Sequence, residues 1–229
     1  MGRAGGLGWS PGVGVQRGLG HCVVVSLPSW LDAGLDDLEL NLTAVQRDRL
    51  ARLLELWARY RGVLNLVGAA VEDQVLEGLL TCRALRDAGA EDVDWTDVGS
   101  GGGFPGLLLA AVLRGRGQLV EPRARRAAFL WTALAGIGRA DCRVFRARLG
   151  EGGWSGASGE SVPVRTAAVT ARAVFDPARW VRLAAQCVGS GGYVVVHLPA
   201  GASAVSECET IAARTYSRWR VDVLRCEVE

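Results

Sequence analysis

Residues 97–106 read DVGSGGGFPG, and what flanks this stretch decides the fold. VDWTDV (93–98) leads into it as a buried strand, and an apolar helix is expected after it, from about Pro105 to Leu113. Further along, QLVEP (118–122) reads as a second strand and Arg123 to Ala135 as a helix. CRVFRA (142–147) and AAVTARA (167–173) read as the third and fourth strands. A helix from Pro177 to Val188, a turn GSGG (189–192) and a fifth strand YVVVHL (193–198) follow. Strand and helix alternating at this rhythm require a parallel sheet covered on both faces, so the expected class is α/β, doubly wound and mostly parallel.

Upstream the pattern is helical. Leu50, Leu53, Leu54, Trp57, Tyr60 and Leu64 recur at three- and four-residue steps with arginines and Glu55 between them. That is an amphipathic helix, capped by Asn41 or Thr43, and a second helix is expected from about Glu72 to Ala88, ending at Gly89. Residues 1–40 are glycine-rich and read as a disordered tail. The expected organisation is therefore the tail (1–40), N-terminal helices (41–90) and a nucleoside-binding Rossmann-like domain (91–229).

Composition narrows the function classes. A chain of 229 residues with 49% hydrophobic residues can bury a substantial core, which excludes wholesale disorder. No apolar run approaches the roughly 20 residues that a membrane helix needs. The six cysteines lie far apart with no C-x-x-C, and only His21 and His197 could help them bind a metal. Neither a metal site nor a disulfide framework is expected; they read as mostly buried thiols in a reducing compartment. Every one of the 26 basic residues is arginine. Residues 32–94 hold 13 acids against 7 arginines, whereas residues 114–148 hold 9 arginines against Glu121 and Asp141. This asymmetry fits a polyanion-facing surface; arginines scattered over a solvated surface are the other reading.

The glycine segment carries the chemistry. Ligands of open α/β sheets bind beyond the carboxyl ends of the strands. Gly99, Gly101 and Gly103 stand at two-residue spacing there, letting a backbone approach a ligand closely. A dinucleotide fingerprint, G-x-G-x-x-G, fails at Phe104. The pattern is acid-x-G-x-G-x-G, and the carboxylate of Asp97 would repel a pyrophosphate but suits a ligand bearing a cation. S-adenosyl-L-methionine, with its sulfonium and ammonium, is such a ligand. Glu121 ends the second strand, where a nucleoside-binding sheet places a carboxylate for the ribose hydroxyls.

The strings DVGSGGGFPG, VEPRARRAAFL (120–130), RARLGE (146–151) and TARAV (170–174), in this order, resemble the RsmG (GidB) family of bacterial 16S ribosomal RNA methyltransferases. The resemblance extends over roughly residues 45–200, and Asn65 and Leu66 match the end of the family's first helix. It implies a Rossmann-like class I methyltransferase, cytoplasmic and monomeric, that methylates N7 of a guanine in 16S RNA or the 30S subunit. Its cofactor would be S-adenosyl-L-methionine, with no metal and no membrane association. Gly99 and Phe104 would line the methionine and adenosine pocket, Glu121 would hold the ribose, and Leu149 and Gly150 would face the adenine. Arg172 matches an arginine at the cofactor and substrate cleft, and Arg126 a basic residue after the second strand; with Arg148 they are the candidate catalytic arginines. A guanine N7 has a free lone pair, so positioning can replace a general base, while arginines grip phosphates or the guanine O6/N7 edge.

Several positions depart from the family pattern. Its R-H-x-x-D-S string is here EGLLTCR (77–83), the acid opening its fourth strand is Ala167, and His197-Leu198-Pro199 stands where it has Leu-Lys-Gly. The loop from Gly150 to Pro163 is longer than usual. RWRVDVLRCEVE (218–229) reads as a sixth strand, so the seventh, antiparallel strand is expected to be missing. The alternatives are a diverged relative that binds cofactor or RNA without turnover, or a methyltransferase acting on a small molecule.

Overall fold

The computed structural model describes residues 15–16, 24–64, 71–156, 161–205 and 208–225. Asn65, Leu66, the first fourteen residues and part of the long loop, 157–160, lie outside the described residues. A two-residue ladder, β1 (Val15–Gln16) with β2 (Val24–Val25), precedes the body of the fold. Three helices follow: α1 (Ser29–Asp37), α2 (Ala44–Leu64) and α3 (Val71–Asp87).

The sheet contains β3 (Trp95–Val98), β4 (Gly117–Val120), β5 (Arg143–Phe145), β8 (Thr166–Thr170), β9 (Val188–Pro199), β10 (Glu209–Tyr216) and β11 (Trp219–Arg225). Its order is β10-β11-β9-β8-β3-β4-β5. Strands β5, β4, β3, β8 and β9 run parallel, and β11 lies antiparallel between β9 and β10. Helices α4 (Gly106–Val112), α5 (Ala124–Gly136) and α6 (Pro177–Ala184) connect them. A hairpin of β6 (Ala147–Gly150) and β7 (Gly153–Gly156) stands apart from the sheet. The doubly wound, mostly parallel α/β architecture is as expected.

Apolar side chains alternate across the central strands, which splits the core in two. Ala168, Val195, Val221 and Val223 pack on the α1–α5 side, whereas Val169, Val194, Val196 and Leu224 pack with Trp180 and Leu183 of α6. Trp57, Trp95 and Trp180 are among the largest fully buried side chains.

Four expectations are corrected. Residues 209–216 form the sixth strand and 219–225 the seventh, so the antiparallel strand is present. The sixth gives little signal in the sequence, because ETIAARTY is an edge strand with no buried residue and hence no apolar run. The tail reading to residue 40 ends too late: α1 lies within it, and Leu31, Leu35, Leu38 and Leu40 are buried in the core. GSGG (189–192) is not a turn between helix and strand but a bulge within β9. Thr166 pairs with Val188 and Ala168 with Tyr193, so the glycines absorb the extra length, Gly191 at φ +68°. Among the cysteines, Cys82, Cys142 and Cys187 are free and buried, but Cys208 is disulfide-bonded.

The cap of α2 is Thr43. Its hydroxyl accepts from the Gln46 N–H at 3.3 Å while the Gln46 side chain accepts from the Thr43 N–H at 2.8 Å, a reciprocal capping box.

Candidate functional site

Beyond the carboxyl ends of β3 and β4 lies a cleft of about 670 Å³. It is roofed on one side by the β6–β7 hairpin and on the other by the segment from Arg172 to Phe175 and by Arg179 of α6. Of the residues singled out from the sequence, Gly99, Gly101, Phe104, Glu121, Arg126, Arg148, Leu149, Gly150 and Arg172 line it together. Asp97 and Gly103 do not.

The glycine loop is bent by local conformation. Gly99 sits at φ +76°, and a Cβ there would come within 2.5 Å of Val174 Cγ2, so only glycine lets the loop close against the segment after β8. Gly103, at φ +93°, does not line the cleft, and a Cβ there would collide with the Leu107 side chain.

Asp97 has a different role from the direct cation contact expected of it. Its side chain is 1% exposed and lies under the loop, where Oδ2 accepts from the Gly106 N–H at 3.1 Å at the start of α4. Burial pushes its carboxyl up to about 6, and the bonds from Ser100 and Gly106 pull it back only in part. The carboxylate thus ties strand end to helix start and shapes the loop rather than lining the cleft.

Glu121 is buried at the cleft wall. Oε2 accepts from the Gly101 N–H at 3.0 Å and Oε1 from the Arg123 N–H at 2.8 Å. Each carboxylate oxygen keeps a further lone pair, so two vicinal hydroxyls could donate to it without displacing either bond.

Sequence reasoning missed the groups that hold this site from the N-terminal helices. Trp57 of α2 donates its indole N–H to Gly102 O at 2.9 Å and stacks on Phe104. Gln74 and Glu77 of α3 receive Arg172: Nη1 donates to Glu77 Oε2 at 2.5 Å and Nη2 to Gln74 Oε1 at 3.1 Å. The Arg172 guanidinium also lies 5.8 Å from the Phe104 ring centroid. His197 Nδ1 stands 3.5 Å from the other Glu77 oxygen without a hydrogen bond, and its Nε2 is 3.0 Å from Thr170 Oγ1. Burial alone would raise the Glu77 carboxyl, yet His197 and Arg172 hold it below the usual range. Trp57 lies on the apolar stripe and reads as core; an acid amid the apolar residues of the second helix was the one available signal for Glu77.

Two charged groups pair near the rim. Glu151, at the tip of the hairpin, pairs with Arg179 Nε at 3.0 Å. Among the described residues no group of three or more potential ligands is placed to hold a metal, and no helix is long and apolar enough to cross a membrane.

The family model and the related sequences point to one family. The family model described as rRNA small subunit methyltransferase G matches residues 46–219. A Myxococcus xanthus protein named ribosomal RNA small subunit methyltransferase G is 31% identical over 196 residues, covering 81% of this chain and 88% of its own length. A Brucella canis protein of the same name is 35% identical over 126 residues, 52% of this chain. That match spans 59% of the Brucella protein's length. Among solved structures, an O-methyltransferase from Bacillus cereus in complex with SAH superposes with a TM-score of 0.50 at 11% identity. It covers 86% of this chain and 97% of that one, a likeness of fold.

Proposed function

The chain belongs to the rRNA small subunit methyltransferase G family, and from that membership we propose that it transfers a methyl group from S-adenosyl-L-methionine to N7 of a guanine in 16S ribosomal RNA. The observation that carries the proposal is the cleft in which the glycine loop, Glu121 and Arg172 meet. We also assign the protein, on the same reading, to the cytoplasm as a monomer acting on the small subunit or its RNA.

The residues fit this cofactor. The close approach of Gly99 to Val174 leaves a backbone cradle, and Glu121 has acceptors to spare for two ribose hydroxyls. Leu149 and Gly150 supply the hairpin side of the cleft, where an adenine would lie, and Phe104 offers an apolar ring to the cofactor. When bound, the cofactor supplies an electrophilic methyl group on a sulfonium.

The protein's own task is then to bind and orient. Guanine N7 attacks with a lone pair and needs no base, so a site without a poised histidine or cysteine is sufficient. An arginine donating to N7 would occupy the attacking lone pair. The useful arginine contacts are therefore to O6 and to phosphates, a task that suits Arg126, Arg148 and Arg172 at the cleft. Phe104 contributes an apolar wall to the cleft beside the reacting atoms.

Methyl transfer to 30S subunits from a strain lacking its own enzyme tests this reading. The expected product is 7-methylguanosine in 16S RNA; unlabelled RNA beside a working control enzyme would overturn it.

A further inference from the structure

We infer that Glu77, backed by Gln74 and His197, is a positioning residue that sets Arg172 in the cleft; this deepens the proposed function and rests on it. Glu77 is 3% exposed, and a carboxylate so buried needs compensation on each oxygen. Arg172 Nη1 supplies it on one oxygen by a direct hydrogen bond, while His197 Nδ1 stands 3.5 Å from the other, near it but outside hydrogen-bond geometry. Gln74 and Glu77 stand three residues apart on α3, so their acceptors lie side by side and meet the two ends of one guanidinium.

The same segment is held from the sheet. His197 on β9 reaches Thr170 at the end of β8, two residues before Arg172. Arg172 thus follows a strand end tied to the neighbouring strand and is held at its head by α3, with the Phe104 ring beside it. Its remaining N–H donors are left for a ligand. An arginine on a flexible stem would have to be ordered at every binding event; one already clamped has lost that freedom beforehand. As a stabilising device a buried ion pair returns little net free energy, so orientation is the gain this arrangement offers.

The consequence is coupling. Glu77 acts through Arg172, so Glu77→Gln, which keeps the volume and one acceptor, is expected to lower single-turnover methyl transfer on the order of tenfold. Arg172→Ala should lower it further, and adding Glu77→Gln to Arg172→Ala should change nothing more. Multiplying effects, or undiminished transfer in Glu77→Gln, would overturn the inference. Should Glu77→Gln fail to fold, Gln74→Ala removes the second acceptor without stranding a charge and is read in the same cycle.

A second readout does not need RNA. The Nε–H resonance of Arg172, identified by its loss in Arg172→Lys, should be sharp and dispersed in the full-length protein and collapse towards the mobile arginines in Glu77→Gln. If Arg172 stays ordered in that variant, the inference fails. If the resonance collapses but the unaltered protein methylates nothing, the positioning stands and the proposed reaction falls.

Discussion

The rings of Trp57 and Phe104 stack with centroids 4.4 Å apart and planes 20° from parallel, joining the longest N-terminal helix to the glycine loop. The indole N–H adds a buried bond to Gly102 O in the same loop. The loop is therefore braced from behind by a residue that never reaches the ligand side. Aromatic stacking of this geometry contributes about 0.5–1.5 kcal/mol beyond simple burial.

Two substitutions separate the brace from its hydrogen bond. Trp57→Phe keeps a ring on Phe104 but leaves the Gly102 carbonyl without its buried donor, and should cost about 1–3 kcal/mol in denaturant unfolding. Trp57→Ala removes both and should cost about 3–5 kcal/mol. Both should weaken S-adenosylhomocysteine binding in calorimetry. Unchanged affinity in a folded Trp57→Ala protein would show that the loop holds its shape unaided.

Asp97 makes stability depend on pH with a definite sign. Its folded carboxyl is pushed up to about 6 from an ordinary value of 3.8, so the native state binds the proton more tightly than the unfolded chain does. Between those two values the native state carries more protons, and stability contributed by this group falls as pH rises. Above about 6 the full penalty applies, of order 2–3 kcal/mol; below 3.8 it vanishes. Asp97→Asn keeps an acceptor for Gly106 and removes the titration. Its stability relative to the unaltered protein should rise from pH 4 to pH 6.5 and then level off; a flat difference across that range would contradict the burial argument.

What could be read from the sequence was what is local. The glycine loop, the Glu121 strand end and the Arg172 segment each lie within a few residues of the structure they make, and each lines the cleft. The bracing groups were out of reach for the opposite reason. Trp57 meets Gly102 across 45 residues and Glu77 meets Arg172 across 95, and periodicity shows only that a face is buried, not what it meets. Edge strand β10 is hard to see because half-exposed residues without an apolar run leave little signal, and the glycines of β9 resemble a turn until pairing shows a bulge.

Glu121 carries two backbone bonds whether or not a ligand is bound, so its substitution should show in both stability and affinity. Glu121→Gln retains one acceptor oxygen but turns an amide N–H₂ towards either the Gly101 or the Arg123 N–H. The clash of donors should lower stability, and the lost charge and acceptor for the ribose hydroxyls should weaken S-adenosylhomocysteine binding by about 1–3 kcal/mol, roughly 5- to 150-fold. An analogue lacking the ribose hydroxyls should bind the two proteins alike. If the analogue still discriminates between them, Glu121 acts on the loop and not on the ribose.

Arg126 and Arg148 line the cleft, and among the described residues neither is paired with a carboxylate. Arg114, by contrast, sits at the other end of the sheet and is engaged by Glu91 and Asp92. Counterion release makes each phosphate contact visible as a decrement in the slope of log affinity against log salt. Arg126→Ala and Arg148→Ala should each weaken binding to 16S RNA and reduce that slope by about 1, whereas Arg114→Ala should leave both unchanged. Equal losses from all three would mean that RNA feels only the diffuse charge of the surface. A methyltransferase of small molecules would keep its activity as salt rises, so the salt dependence of methyl transfer separates the two substrate classes.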